Sequence, residues 1–224
     1  MSMIHVAIDG PGGAGKSTMA KALAEACSLN YVDTGAMYRT IGLAVLRAGV
    51  APSDAEKVIA LLPRLQVRLR YEDDMQHMIL CGEDVTGRIR TPDVSGAASA
   101  VSAIPEVRAF LLRAQQELAE NCSVVMDGRD IGTVVLPKAE LKVFLTAAPE
   151  ERARRRFLEL ERRGTPQPYE RVLAEMNERD ERDTSRAAAP LRPAEDAVIL
   201  DTTEMSEEQV LARLRELVEE RRQK

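Results

Sequence analysis

Apolar residues fall in short blocks separated by longer, helix-like stretches. Ile4-His5-Val6-Ala7-Ile8 is the first block; residues 29–32, 124–126, 141–145 and 198–200 follow. Blocks this short and unbroken suit strands buried on both faces of a parallel sheet, where alternation with polar residues is lost. Residues 19–27, rich in Ala, Leu, Lys and Glu, predict a helix directly after the first block. A second helix is expected over 36–48, stopped by Gly49, and another from Thr91-Pro92-Asp93, with Pro92 at a favoured first position. Ser206 with Gln209 three residues on is a capping-box signature for a final helix, Glu207–Arg222. The alternation predicts an α/β fold: a five-stranded parallel sheet with helices on both faces.

One segment breaks this rhythm. Val67, Leu69 and Tyr71 alternate with Gln66, Arg68 and Arg70, and Glu72-Asp73-Asp74 turns the chain into 75–80. A second turn at Cys81-Gly82-Glu83-Asp84 leads to Val85 and onward to Ile89. Period two predicts a small antiparallel meander, which a simple parallel sheet does not accommodate. Residues 64–91 are therefore expected to form an inserted subdomain in a core domain of 1–63 and 92–224.

Composition narrows the classes. Of 224 residues 45% are apolar but only 3% aromatic, with no Trp, so packing must rest on Leu, Val, Ile, Ala and Met. A net charge of −5 argues against a nucleic-acid polymer as partner, because nonspecific affinity needs a basic surface. Cys27, Cys81 and Cys122 are odd in number and scattered, which suggests reduced thiols and a cytoplasmic location. Neither a signal peptide nor a membrane helix is expected.

The chemistry begins after the first strand. Gly10-Pro11-Gly12-Gly13-Ala14-Gly15-Lys16-Ser17-Thr18 fits G-x-x-x-x-G-K-[ST] and stands between a strand and a helix, as that motif requires. Its backbone N–H groups curl inward on phosphate oxygens at the positive end of the helix. Lys16 would reach the β- and γ-phosphates, and Ser17 would place its hydroxyl on Mg²⁺. A loop of this kind serves ATPases, GTP switches and kinases alike. GTP switches also carry Asn-Lys-x-Asp, and none occurs here.

The other clusters indicate an anionic acceptor. Strand two ends in Asp33-Thr34-Gly35 with Arg39 on the following helix, and strand three ends in Asp127-Gly128-Arg129-Asp130. Ligands of open α/β sheets gather at such strand ends. Arg39 either meets an acceptor phosphate or merely pairs with Asp33. From Glu150 to Arg186 the chain holds Arg152, Arg154, Arg155, Arg156, Arg162, Arg163, Arg171, Arg179, Arg182 and Arg186 but no lysine, broken only by Gly164-Thr165-Pro166-Gln167-Pro168. Glu150–Arg154, Glu151–Arg155, Glu159–Arg163, Glu175–Arg179 and Glu178–Arg182 are expected as i,i+4 pairs on a solvated face. A preference for guanidinium over ammonium also suits bidentate contact with phosphate.

Three segments carry a specific resemblance. Asp33-Thr34-Gly35-Ala36-Met37-Tyr38-Arg39, Asp127-Gly128-Arg129-Asp130-Ile131-Gly132-Thr133-Val134-Val135 and Glu178-Arg179-Asp180-Glu181-Arg182-Asp183-Thr184-Ser185-Arg186 resemble the signatures of bacterial cytidylate kinases, within the P-loop nucleoside monophosphate kinases. The resemblance implies transfer of a phosphoryl group from ATP to CMP or dCMP with Mg²⁺, by a monomer acting on small molecules. It assigns Thr34, Arg39, Arg129 and Arg186 to the CMP phosphate. Ser99, Arg108 and Asp130 are assigned to cytosine, and Arg179 and Asp183 to the sugar. It implies that 64–91 binds the monophosphate. Transfer also needs a lid that closes to exclude water, and its expected place is the helical segment 151–168, where arginines precede the Gly/Pro-containing break and, Arg155 among them, would cover the transferred group. Lys16, Arg39, Arg129, Arg155 and Arg186 are the catalytic set on this reading. Family members often carry Ser at 34 and Gly at 17; Thr34 keeps the hydroxyl, and Ser17 adds one suited to magnesium. Asp33 and Asp127 are expected to orient magnesium-bound water, or Asp33 only to position Arg39.

Overall fold

In a computed structural model, residues 3–72 and 75–223 are described. The chain divides into two compact units, Met1–Tyr31 with Cys122–Lys224, and Val32–Asn121.

The first unit is built on the parallel sheet. β1 (His5–Asp9) pairs in parallel with β6 (Val124–Gly128) and β7 (Leu141–Thr146), and β7 with β8 (Val198–Asp201). With β2 (Asn30–Asp33) beside β6, the strand order is β2-β6-β1-β7-β8. Val6, Ile8, Val125, Leu141, Val143 and Leu145 present one face to α1 (Lys16–Cys27) and α8 (Glu207–Arg222). Met19, Leu23, Leu214 and Leu217 fill the space between them. Ala7 and Met126 point the other way and are also fully buried, which is why β1 and β6 read as unbroken apolar blocks, whereas the edge strand β8 leaves Ile199 63% exposed and is not buried on both faces as expected. The capping box of α8 is present as expected. α6 (Pro149–Arg162) and α7 (Tyr169–Ser185) pack through Ala153, Leu160 and Val172.

The second unit combines helices with the antiparallel sheet. α2 (Thr34–Arg47) packs closely on α4 (Pro92–Val101). A Cβ on Gly42 would lie 2.9 Å from the Ala98 backbone nitrogen, so the contact tolerates no side chain there. α4 starts at Pro92 behind a Thr91 cap, as expected. α3 (Ala55–Leu61) and α5 (Pro105–Glu117) complete the helices, and Met37, Ile41, Val58, Met78, Ile89 and Leu111 lie in the core.

Two expectations need correction. The second helix begins at Thr34, not at 36, because the Asp33 carboxylate accepts from Ala36 N–H at 2.9 Å and caps the first turn. The meander forms with β3 (Val67–Glu72) against β4 (Met75–Leu80), but its last strand is only β5, Glu83–Asp84. Cys81 and Gly82, at φ 49° and 88°, make a two-residue hairpin turn that sets Glu83 opposite Leu80. Val85 and Ile89 then leave the sheet and are buried in the core. Asp73 and Asp74 of the expected first turn lie outside the described residues.

Candidate active site

In the first unit the phosphate loop joins β1 to α1. Gly10 admits no other residue, since a Cβ there would fall 2.0 Å from the Leu145 carbonyl oxygen. α1 has no side-chain cap and no acidic residue in its first turn, so its side chains leave the positive amino end of the helix unanswered. Lys16 is buried and donates from Nζ to the Pro11 carbonyl at 2.6 Å. Burial, and next the charge of Arg129, hold its pKa well below the usual lysine value. Ser17 Oγ donates to Asp127 Oδ2 at 2.7 Å. A magnesium ion carried by nucleotide phosphates needs only one or two protein oxygens, and Ser17 backed by Asp127 fits that demand.

Arg129 and Asp130 follow β6 and adjoin this loop. A Cβ on Gly12 would come within 3.8 Å of Arg129 Nη2. Arg129 Nε donates to Asp183 Oδ2 at 2.9 Å, and Arg179 and Arg186 each approach Asp183 to 3.9 Å. Burial opposes ionisation of Asp183, but Arg129, Arg179 and Arg186 outweigh it and keep its pKa below the ordinary carboxylate value. Arg186 also lies 4.0 Å from Asp130, with both side chains almost wholly buried. Five of the expected site residues, Arg129, Asp130, Arg179, Asp183 and Arg186, are thus gathered in one cluster.

Arg155 is placed differently. Its Nη2 donates to the Thr202 carbonyl at 2.7 Å and its Nε to Glu151 at 2.9 Å. It lines a cavity of about 270 Å³ with Ala14, Gly15, Thr18, Thr202 and Met205. The expected Glu151–Arg155, Glu159–Arg163 and Glu178–Arg182 pairs form. Arg154 instead takes Glu151, Glu175 takes Arg171, and Arg179 turns to Asp183, because an i,i+3 or reversed i,i+4 partner is equally near on a helix face.

In the second unit, Asp33 holds Arg39 across 2.6 Å, the positioning alternative for that aspartate. Arg90 approaches the same carboxylate at 3.4 Å, and Gln76 clamps the Asp33 backbone from both sides. Arg39 Nε is buried without a hydrogen-bond partner among the described residues. Thr34 is buried at the start of α2. Ser99 on α4 is buried, and its Oγ has no partner among the described residues either. Arg108 on α5 donates to the Ser102 carbonyl at 3.1 Å and stacks 5.4 Å from the Tyr38 ring centroid. Buried polar atoms without partners are costly in a folded protein and mark places a ligand can satisfy.

Three supporting residues were not anticipated. Arg152, 4% exposed, bonds through Nη1 to the Gly12 carbonyl at 2.9 Å and to Asp180 at 2.6 Å, bracing the loop against α7. Nothing in its sequence position sets it apart from neighbouring arginines. Asp9 accepts from Ile131 and Gly132 N–H, each at 2.8 Å, anchoring a π-helical turn over Ile131–Val135. Burial raises its pKa to about 6. Its place at the carboxyl end of the first strand was a usable signal. Tyr31 donates to Asp127 at 2.9 Å.

The family model described as cytidylate kinase matches residues 6–220. A cytidylate kinase of Caldicellulosiruptor bescii is 52% identical over 217 residues, 97% of this chain and 96% of that protein. One of Mycobacterium leprae is 50% identical over 222 residues, 99% of this chain and 98% of that protein. Among solved structures, an uncharacterized protein from Eubacterium ventriosum aligns with a TM-score of 0.54 at 12% identity, covering 97% of this chain and 99% of that one, a likeness of fold alone.

Proposed function

The chain belongs to the cytidylate kinase family, and from that premise we propose that it transfers the γ-phosphoryl group of ATP to CMP or dCMP, giving ADP and CDP or dCDP. The observation that carries this reading is the guanidinium of Arg129 set beside Gly12 of the phosphate loop. Phosphoryl transfer between two anions needs cations at both reactants. Lys16 and the loop amides serve the donor; Arg129 serves the acceptor.

On this reading Thr34, Arg39, Arg129 and Arg186 hold the CMP phosphate. The partnerless Nε of Arg39 favours it. Asp130 accepts from the cytosine amine, while Ser99 and Arg108 donate to the ring's acceptors. The buried Ser99 hydroxyl is supporting evidence of the same kind. Uracil reverses donor and acceptor on that edge and would leave these groups unsatisfied. Arg179 and Asp183 meet the sugar. The cavity lined by Ala14, Gly15, Thr18 and Thr202 beside the loop supports a donor nucleoside seated there.

Ser17 would hold Mg²⁺, which supplies charge neutralisation across the donor phosphates. The acceptor phosphate oxygen is the nucleophile, so no side chain forms a covalent bond. Segment 151–168 acts as a lid that excludes water, with Arg155 leaving Thr202 for the transferred group as it closes. Segment 64–91 belongs to the monophosphate-binding part.

An ADP-release assay with CMP, dCMP, UMP, AMP and dTMP tests the acceptor. CMP or dCMP should be preferred; a strong preference for UMP, AMP or dTMP would replace this reading with another monophosphate kinase.

A further inference from the structure

Ser17 and Tyr31 share one carboxylate. Tyr31 Oη donates to Asp127 Oδ1 at 2.9 Å, and Ser17 Oγ donates to Asp127 Oδ2 at 2.7 Å. Asp127 is 4% exposed, near the end of β6, while Tyr31 comes from β2 and Ser17 from the first turn of α1. One turn beyond Ser17, Lys21 places its ammonium 5.6 Å from the Tyr31 ring centroid. The ring is thus fixed by a cation at its face and by Asp127 at its hydroxyl.

This arrangement has a chemical consequence. A serine hydroxyl has one proton and two lone pairs. When the proton is committed to Asp127, the lone pairs face away from that carboxylate and are available to a cation. Coordination strengthens a hydroxyl as a donor, so an anionic acceptor behind it reinforces the ligand. A carboxylate can swivel about its last torsion, and a single hydrogen bond does not fix which way it aims. The bond from Tyr31 adds a second directional constraint, beside the charge of Lys16.

We propose that Tyr31 is a positioning residue for the magnesium-bearing nucleotide: it fixes Asp127 so that Ser17 presents its lone pairs to the ion. This inference rests on the magnesium role proposed for Ser17. It assigns Tyr31 a part in the reaction through Asp127 and Ser17.

Tyr31→Phe removes the hydroxyl and keeps the ring. Mn²⁺ serves as a paramagnetic probe, titrated by electron spin resonance into the full-length protein with a nonhydrolysable ATP analogue. Tyr31→Phe should weaken Mn²⁺ binding about tenfold, the lower end of the range for outer-shell partners. Affinity for the analogue without metal should be unchanged, which a merely structural role would not guarantee. In a Ser17→Ala background, Tyr31→Phe should add nothing. Superimposable Mn²⁺ titrations of Tyr31→Phe and parent would overturn the inference, as would a full additional loss in the Ser17→Ala background. If Ser17→Ala itself leaves Mn²⁺ binding unchanged, the magnesium role of Ser17 fails first and the inference with it. Asp127→Asn offers a second route, since a carboxamide cannot accept through both of its polar atoms. It should weaken Mn²⁺ binding and abolish any effect of Tyr31→Phe.

Discussion

Arg129 and Asp183, from the end of β6 and the last turn of α7, form a 2.9 Å ion pair in which Asp183 is almost wholly buried. Arg179 and Arg186 approach the same carboxylate, so Asp183 is the anion that allows the three arginines to lie together. Removing a buried charge that balances others is far more costly than removing a surface pair.

Asp183→Asn should therefore destabilise the fold by about 3 kcal/mol at neutral pH. The native Asp183 pKa is lowered, so its contribution is present above the ordinary carboxylate range and lost as pH falls through the native value. Chemical denaturation between pH 7 and pH 3 should show parent and variant converging in acid. A constant gap across that range would mean that the charge of Asp183 is not what matters.

Asp9 titrates in the opposite sense. Its native pKa of about 6 lies above its unfolded value, so the native state binds the proton more tightly. Stability should fall by up to about 3 kcal/mol as pH rises from about 4 to about 6, then level off. Protonation makes one Asp9 oxygen a much poorer acceptor and so weakens its bond to Ile131 or Gly132, and those amide resonances should move together with a midpoint near 6. Amides that do not titrate between pH 5 and 7 would refute the assignment.

Lys16→Met should lower turnover by at least about a hundredfold. It should not lower thermal stability, because burial already disfavours the Lys16 charge in the absence of phosphate. Near-parental turnover in the folded variant would remove Lys16 from the chemistry.

Base choice separates two roles for Asp130. If Asp130 accepts the cytosine amine, Asp130→Ala should erode CMP-over-UMP discrimination by one to two powers of ten, for a hydrogen bond worth roughly 1.5–3 kcal/mol. Arg39→Ala should depress both substrates alike, since their phosphates are the same. Because Asp130 also lies 4.0 Å from Arg186, a common loss on CMP and UMP would mean that it serves that arginine and does not read the base.

Much of this was legible because it rests on local rules. The phosphate loop, the unbroken apolar strands and the Ser206–Gln209 cap are each decided within a few residues, and tertiary packing has no reason to override them. The last strand of the meander was misread because Val85 and Ile89 are apolar for the core and not for a pleated face. The arginines of α6 and α7 are alike in sequence, yet Arg152 is buried against Gly12 while Arg154 lies on the surface beside Glu151. Which way each points depends on helix rotation and on partners more than a hundred residues away, such as Gly12 for Arg152. The bond between Tyr31 and Asp127 joins residues 96 apart and left no trace in either local pattern.

A kinase and a nucleotide hydrolase differ in where the γ-phosphoryl group of ATP ends up. Protein incubated with γ-labelled ATP, Mg²⁺ and CMP should place the label in CDP, with little free phosphate. Label released as inorganic phosphate at the same rate with or without CMP would contradict transfer to CMP and make the protein a nucleotide hydrolase.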